Sequence, residues 1–231
     1  MKIDTVYAKP DHPDNQFPGL YHPEAKLIWC HQDLALVVLI AARTVRQDFG
    51  WTLKINDGLR PVEAQEKMQD SHFHPDLVSA PGKGAHPRAM AVDVEPLDHA
   101  SRPVEMGTSF DYFAQAPGPD VNPAHREYSG AFQDADKNLV NKNRNRLSHA
   151  MLEAGRRASL DIVPLPQEWW DFRFPPDIVY TYAPLRDRDL RPVQRMIEPD
   201  VSEIKALMAG HLTAELLTQK ETILEKLERI R

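Results

Sequence analysis

The stretch His86-Pro-Arg-Ala-Met-Ala-Val-Asp93 limits the fold more than any other in the chain. Val92 and Val94 flank Asp93, so the acid projects from a buried strand. An unpaired desolvated carboxylate is very costly. Its partner must be a bound metal ion, or an arginine or lysine. The spacing of His86 and Asp93 is odd, which would put them on opposite faces of one regular strand. His86 is therefore expected on the loop before the strand, where Pro87 fits, and Asp93 on the strand itself. Glu168 and Asp171 pose the same parity problem. Glu168 is expected on the turn after Pro166, and Asp171 on a strand. Both pairs then meet at the end of a small sheet.

The rest of the chain supplies helices around that sheet. Residues 1 to 26 are rich in Pro, His, Asp and Asn and read as an irregular arm, with a turn at Asn15-Gln-Phe-Pro-Gly19. Leu34, Val37, Val38, Ala41 and Val45 recur at helical spacing and predict a helix from Leu27 to Phe49, closed by Gly50. Trp51 to Asn56 alternates like a half-buried strand. Pro61 fits the first position of a helix running to about Asp70, with Glu63 and Glu66 near its positive end. A loop over 71–85 precedes a strand from Met90 to Val94, which Pro96 should stop. Residues 97–137 read as a long functional or disordered loop. A second long helix follows at Asn138 to Arg157. Strands are expected at Glu168 to Phe174 and at Val179 to Tyr182. With no strict strand–helix alternation the class is α+β.

From Pro199 the character changes. Val201 to Arg231 is amphipathic, with a break near Gly210, and reads as a helical extension to a domain spanning 1–198. Two readings stay open for it: a helix folded back on the domain, or an oligomerisation helix that makes a homo-oligomer. The formal charge of -6 argues against a nucleic-acid surface. No window approaches the 18 apolar residues of a membrane span. Cys30 is the single cysteine and falls in the first predicted helix, so a small buried hydrophobe in a reducing compartment is expected.

One imidazole (His86) with two carboxylates (Asp93 and Asp171) and a further free one (Glu168) matches a catalytic metal site with three protein ligands and an open position. The free carboxylate then serves as general base or acid. Arg60, held between Asp57-Gly58 and Pro61, is placed to stabilise an oxyanion. The plainer competitor is a salt bridge from Asp171 to Arg173 or Arg60.

Several separated motifs agree in order with one family. Asp57-Gly-Leu-Arg-Pro61, His86-x6-Asp93, Met106-Gly-Thr-Ser-Phe-Asp111 and Glu168-Trp-Trp, with Asn15-Gln-Phe-Pro-Gly19 and Asn143-Arg-Asn-Arg-Leu147 beside them, resemble the VanX-like D-alanyl-D-alanine dipeptidases. These are zinc peptidases of family M15. The resemblance covers roughly residues 10 to 185. It implies a small mixed sheet with helices around it. It implies zinc on His86 and Asp93, Glu168 as the base that activates the metal-bound water, Arg60 stabilising the tetrahedral intermediate, and Asp111 at the substrate's amino end. It further implies a small dipeptide substrate, D-Ala-D-Ala, and a cytoplasmic enzyme.

The chain departs from that family in three places. Asp171 stands where the third zinc ligand is a histidine. Around the first ligand, Gly84-Ala-His86-Pro-Arg-Ala89 lacks the family's Ser and Gly, and Ala85 stands where a Ser precedes the ligand. With Asp171 as a ligand the set carries two negative charges, which weakens the metal as a Lewis acid and tilts preference toward Mn, Fe or Mg. His72, His74 or His125 would be the alternative source of a ligand.

Overall fold

A computed structural model describes residues 1–70 and 73–230. Five strands form one mixed sheet in the order β1-β2-β3-β5-β4. They are β1 (Lys2–Ile3), β2 (Thr52–Asp57), β3 (Ala91–Leu97), β4 (Val163–Pro164) and β5 (Asp171–Arg173). β1 runs parallel to β2, and the remaining pairs are antiparallel. The α-helices are α1 (Gln32–Phe49), α2 (Val62–Gln69), α3 (Lys137–Arg157), α4 (Pro176–Val179), α5 (Val201–Met208) and α6 (Ala214–Arg229). The α+β class is as expected.

The two faces of the sheet have different jobs. Leu53, Ile55, Val92, Val94 and Phe172 point to one face and join the core that α1 covers, with α3 packed on α1. Lys54, Asp57, Asp93, Glu95, Asp171 and Arg173 point to the other. That face is buried too: all of these but Arg173 fall in the buried class. Its charges are therefore paired at short range, as between Lys54 and Glu95 at 2.5 Å.

Several boundaries differ from the sequence reading. α1 begins at Gln32 rather than Leu27, because the preceding backbone is committed elsewhere. Leu59 N–H donates to Trp29 O, and His31 N–H donates to Ala89 O. The His31 ring then caps the helix by accepting from Asp33 N–H. Cys30 thus precedes the helix, half-buried, and burial pushes its thiol up to about 12. β3 runs through Pro96 to Leu97, where β5 no longer pairs with it, so the missing N–H costs no ladder bond. Pro61 caps α2 instead of opening it. Val179 to Tyr182 is no strand: Pro175 and Pro176 start the short helix α4, which ends at Val179. β5 is only three residues long, with Glu168 on the turn before it. The arm at 1–26 contributes β1 and a 3₁₀ turn at Val6–Ala8.

The extension is broken around Gly210, as expected. α6 lies on α1, where Leu227 enters the core and Lys226 meets Asp33 at 3.0 Å. Its other side carries exposed Leu217 and Leu224. Among the described residues, no helix is long and apolar enough to cross a membrane.

Candidate metal centre

Three aspartates line up across the sheet. Asp57 on β2 pairs with Asp93 on β3, and Asp93 pairs with Asp171 on β5. A one-residue bulge between Ile55 and Asp57 makes this row, because it turns Asp57 onto the face of Asp93. Like charges placed directly opposite one another destabilise a sheet. The row is held by cations brought from outside it. Arg60 donates from Nε to Asp57 Oδ2 at 2.9 Å and reaches Asp93 Oδ2 at 3.4 Å. Arg173, two residues along β5, clasps Asp171 with two donors: Nε to Oδ1 at 2.7 Å, and Nη2 to Oδ2.

His86 completes the cluster from a 3₁₀ turn at His86–Arg88, ended by Ala89 in the left-handed region. Its Nδ1 lies 2.7 Å from Gly58 O. That bond fixes Nδ1 as the donor and leaves Nε2 free. Gly58 must be glycine: a Cβ there would sit 2.6 Å from Trp29 O. Nε2 lies 3.1 Å from Asp171 Oδ2 and 3.4 Å from Asp93 Oδ1. Asp93 Oδ1 is fully buried and has no hydrogen bond.

These distances fit a metal ion. Bonds of about 2.0 Å in tetrahedral geometry separate the ligand atoms by about 3.3 Å. The described residues contain two buried or half-buried sets able to hold an ion, Asp57–His86–Asp93 and Asp93–Glu168–Asp171, sharing Asp93. Asp57 faces the Nδ1 side of His86, at 3.7 Å, where Gly58 O already bonds. The expected trio of His86, Asp93 and Asp171 is split between these two sets: His86 Nε2 lies near both carboxylates, while Asp171 joins Asp93 and Glu168 in the second. With no ion, the cluster draws a proton instead. Burial opposes the charge on His86, but Asp93 and the hydrogen bonds to Asp171 and Asp93 outweigh it and push the ring up to about 10. Asp171 is driven the other way: burial raises it, while Arg173 and His86 hold it far below the usual carboxylate range.

Glu168 and Arg60 line a cavity of about 180 Å³ with His86, Asp171 and Arg173 at its floor. Gln65, Ser79 and Lys83 also line it. The carboxylate of Glu168 has no hydrogen-bond or ion-pair partner among the described residues. Burial, then Asp171 and Asp93, raise it to about 8. Arg60 also stacks over the Tyr7 ring at 5.2 Å.

The expected site residues are only partly brought together. His86, Asp93, Asp171, Glu168 and Arg60 converge. Asp111 does not line the cavity. It sits behind Arg60 at 3% exposure, accepting from Tyr7 Oη at 2.8 Å, with Oδ2 buried and unpartnered. Burial raises Asp111 to about 8. His74 and His125 join neither ligand set: each turns Nδ1 to the N–H two residues on, at Asp76 and Glu127. His72 lies outside the described residues. Asp57 went unrecognised as a candidate ligand, because only the bulge brings it into the row.

The turn carrying Glu168 is braced by the long loop at 98–136. Arg126 donates from Nε to Leu165 O at 2.9 Å, from Nη2 to Asp171 O at 2.8 Å, and from its backbone to Pro166 O at 2.9 Å. Asn122 Nδ2 bonds Gln167 O, and Trp169 N–H bonds Ala124 O. The loop is in turn tied to α3. Arg144 donates to the carbonyls of Met106, Pro123 and His125, and Asn143 to that of Glu105.

Among known proteins, no family model matches this chain and no curated protein matches it.

Proposed function

We propose that this chain is a metal-dependent peptidase that hydrolyses D-Ala-D-Ala or a related small dipeptide, built on the M15 D,D-peptidase plan that its motifs resemble. One observation carries the reading: a buried, unpartnered Asp93 oxygen faces His86 Nε2 and the Asp171 carboxylate beneath a cavity that Glu168 and Arg60 share. A divalent ion held by His86, Asp93 and Asp171 would supply Lewis acidity toward a carbonyl and toward water. Zinc is the ion the resemblance suggests, and the two carboxylates also suit manganese or iron.

The chain's own residues then divide the work. Glu168, whose carboxylate has no partner among the described residues and would be ionised more easily beside a dication, takes a proton from the attacking water and returns it to the leaving amine. Arg60, fixed by Asp57 and Tyr7, turns its guanidinium toward charge developing on the carbonyl oxygen. The cavity is smaller than the roughly 300–1,000 Å³ of pockets for drug-sized ligands, which suits a short peptide. Asp111 is proposed to meet the substrate's amino end only after a side-chain shift, since it does not line the cavity.

A second reading has one observation in its favour. The double clasp of Arg173 on Asp171 resembles a structural ion pair, as in a relative that binds a peptide or cell-wall fragment without turnover. Measuring D-Ala release from D-Ala-D-Ala, with zinc and then with manganese, separates the two. Turnover that Glu168→Gln abolishes supports the peptidase. No release with either ion supports the binder.

A further inference from the structure

We propose that Arg173 is a positioning residue that works through Asp171, returning one positive charge to the ligand set and presenting a single Asp171 oxygen to the ion. This rests on the peptidase reading above. Asp171 and Arg173 are two apart on β5, so both project to the cavity face, while Phe172 between them enters the core. Arg173 stands opposite Ala91, whose methyl leaves space for the guanidinium to lie along the strand. Asp171 has no exposure and Arg173 remains at the cavity floor.

The clasp determines which electrons Asp171 can offer. A carboxylate has about four lone-pair positions. The two parallel donors of Arg173 take one on each oxygen. Oδ2 keeps a second, and it points at His86 Nε2, 3.1 Å away. Oδ1 keeps a second position too, but Oδ2 is the oxygen that faces His86, so the clasp holds Asp171 with Oδ2 turned to the cluster.

The charge count is equally specific. Asp93 and Asp171 bring two negative charges and a neutral His86 brings none. Arg173 brings one positive charge, leaving a net of one negative. Arg60 is already engaged by Asp57 as its nearer partner. The Asp171–Arg173 pair thus presents a nearly neutral donor, and the ion keeps more of its Lewis acidity than beside two uncompensated carboxylates.

The test uses the full-length protein and reads ion affinity rather than turnover. Zn²⁺ and Mn²⁺ affinities are measured by competition with a chromophoric chelator for wild type, Arg173→Gln and Arg173→Lys. Glutamine keeps a donor to Asp171 and removes the charge, which lies close to a dication in a partly desolvated site. Ion affinity is expected to rise about tenfold or more in Arg173→Gln. Arg173→Lys, which keeps the charge, should stay within about threefold of wild type. A merely structural role for Arg173 predicts the reverse, weaker binding in Arg173→Gln. Unchanged or weaker binding there, with a wild type that binds, overturns the proposal. Should Arg173→Gln fail to fold, a tenfold rise in Arg173→Lys would overturn it instead. A wild type that takes up neither ion defeats the peptidase reading itself.

Discussion

At the residue scale, the proposed ion competes with protons for the site. In the ion-free protein His86 keeps its proton to about pH 10, and Glu168 and Asp111 keep theirs to about 8. The unfolded chain gives these protons up near 6.5, 4.5 and 3.8. All three groups are raised by folding, so the stability they contribute is complete below those unfolded values and is lost as pH rises through the folded ones. The melting temperature of the ion-free protein should therefore fall from pH 6.5 to about 10. A melting temperature that rises over that window would contradict the assignment of a protonated His86. An ion must displace the same proton, so apparent ion affinity should climb about tenfold per pH unit below that limit; a pH-independent affinity would exclude His86 as a ligand. Glu168→Gln should lower kcat by about 10²–10⁴-fold while leaving ion binding intact, measured by D-Ala release and a binding titration in parallel. Loss of the ion in that variant would make Glu168 a ligand instead of the base.

At the scale of elements, the Glu168 turn is held by a relay from α3 through the 98–136 loop. Arg144 is buried and satisfies three loop carbonyls, and Arg126 satisfies two more on the turn. Leaving buried carbonyls unsatisfied costs about 1–3 kcal/mol each. Arg126→Ala should accordingly lower kcat more than it raises KM, although Arg126 does not line the cavity. An unaltered kcat would show that the turn holds itself. Much of this scale was legible beforehand. Parity arguments put His86 and Glu168 off the strands and Asp93 and Asp171 on them, and α1, α2 and α3 were visible from periodicity and Pro/Gly signals. The bulge at Asn56 was not legible, because no local rule says where a strand gains a residue, and with it went Asp57. The start of α1 was missed because its competitors, Trp29 and His31 bonding to Leu59 and Ala89, are distant in sequence. The Arg173 clasp was foreseen only as a competitor to metal binding. The strand at Val179 to Tyr182 was misread from β-favouring residues that a Pro-Pro pair turns into a helix.

For the whole molecule, the sheet separates labour between its faces. One face is an apolar core under α1, and the other is a buried charged layer with a cavity at His86 and Asp171. α6 closes the outside of α1, so residues 199–231 bear on stability. Truncation at Asp200 removes buried Ile204 and Leu227. At about 1.5–3 kcal/mol per buried side chain the loss is on the order of 3–6 kcal/mol, a fall of roughly 6–24 °C in Tm. An unchanged Tm would mean that α6 is an independent appendage, and a changed solution mass would point to the oligomerisation reading. The proposed peptidase requires that His86, Asp93 and Asp171 hold one divalent ion. Ion content of the purified protein after zinc loading and exhaustive buffer exchange tests it most directly, with Asp171→Ala alongside. The expected result is one tightly held ion per chain in wild type and none in Asp171→Ala; a full complement of tightly held ion in Asp171→Ala would contradict it.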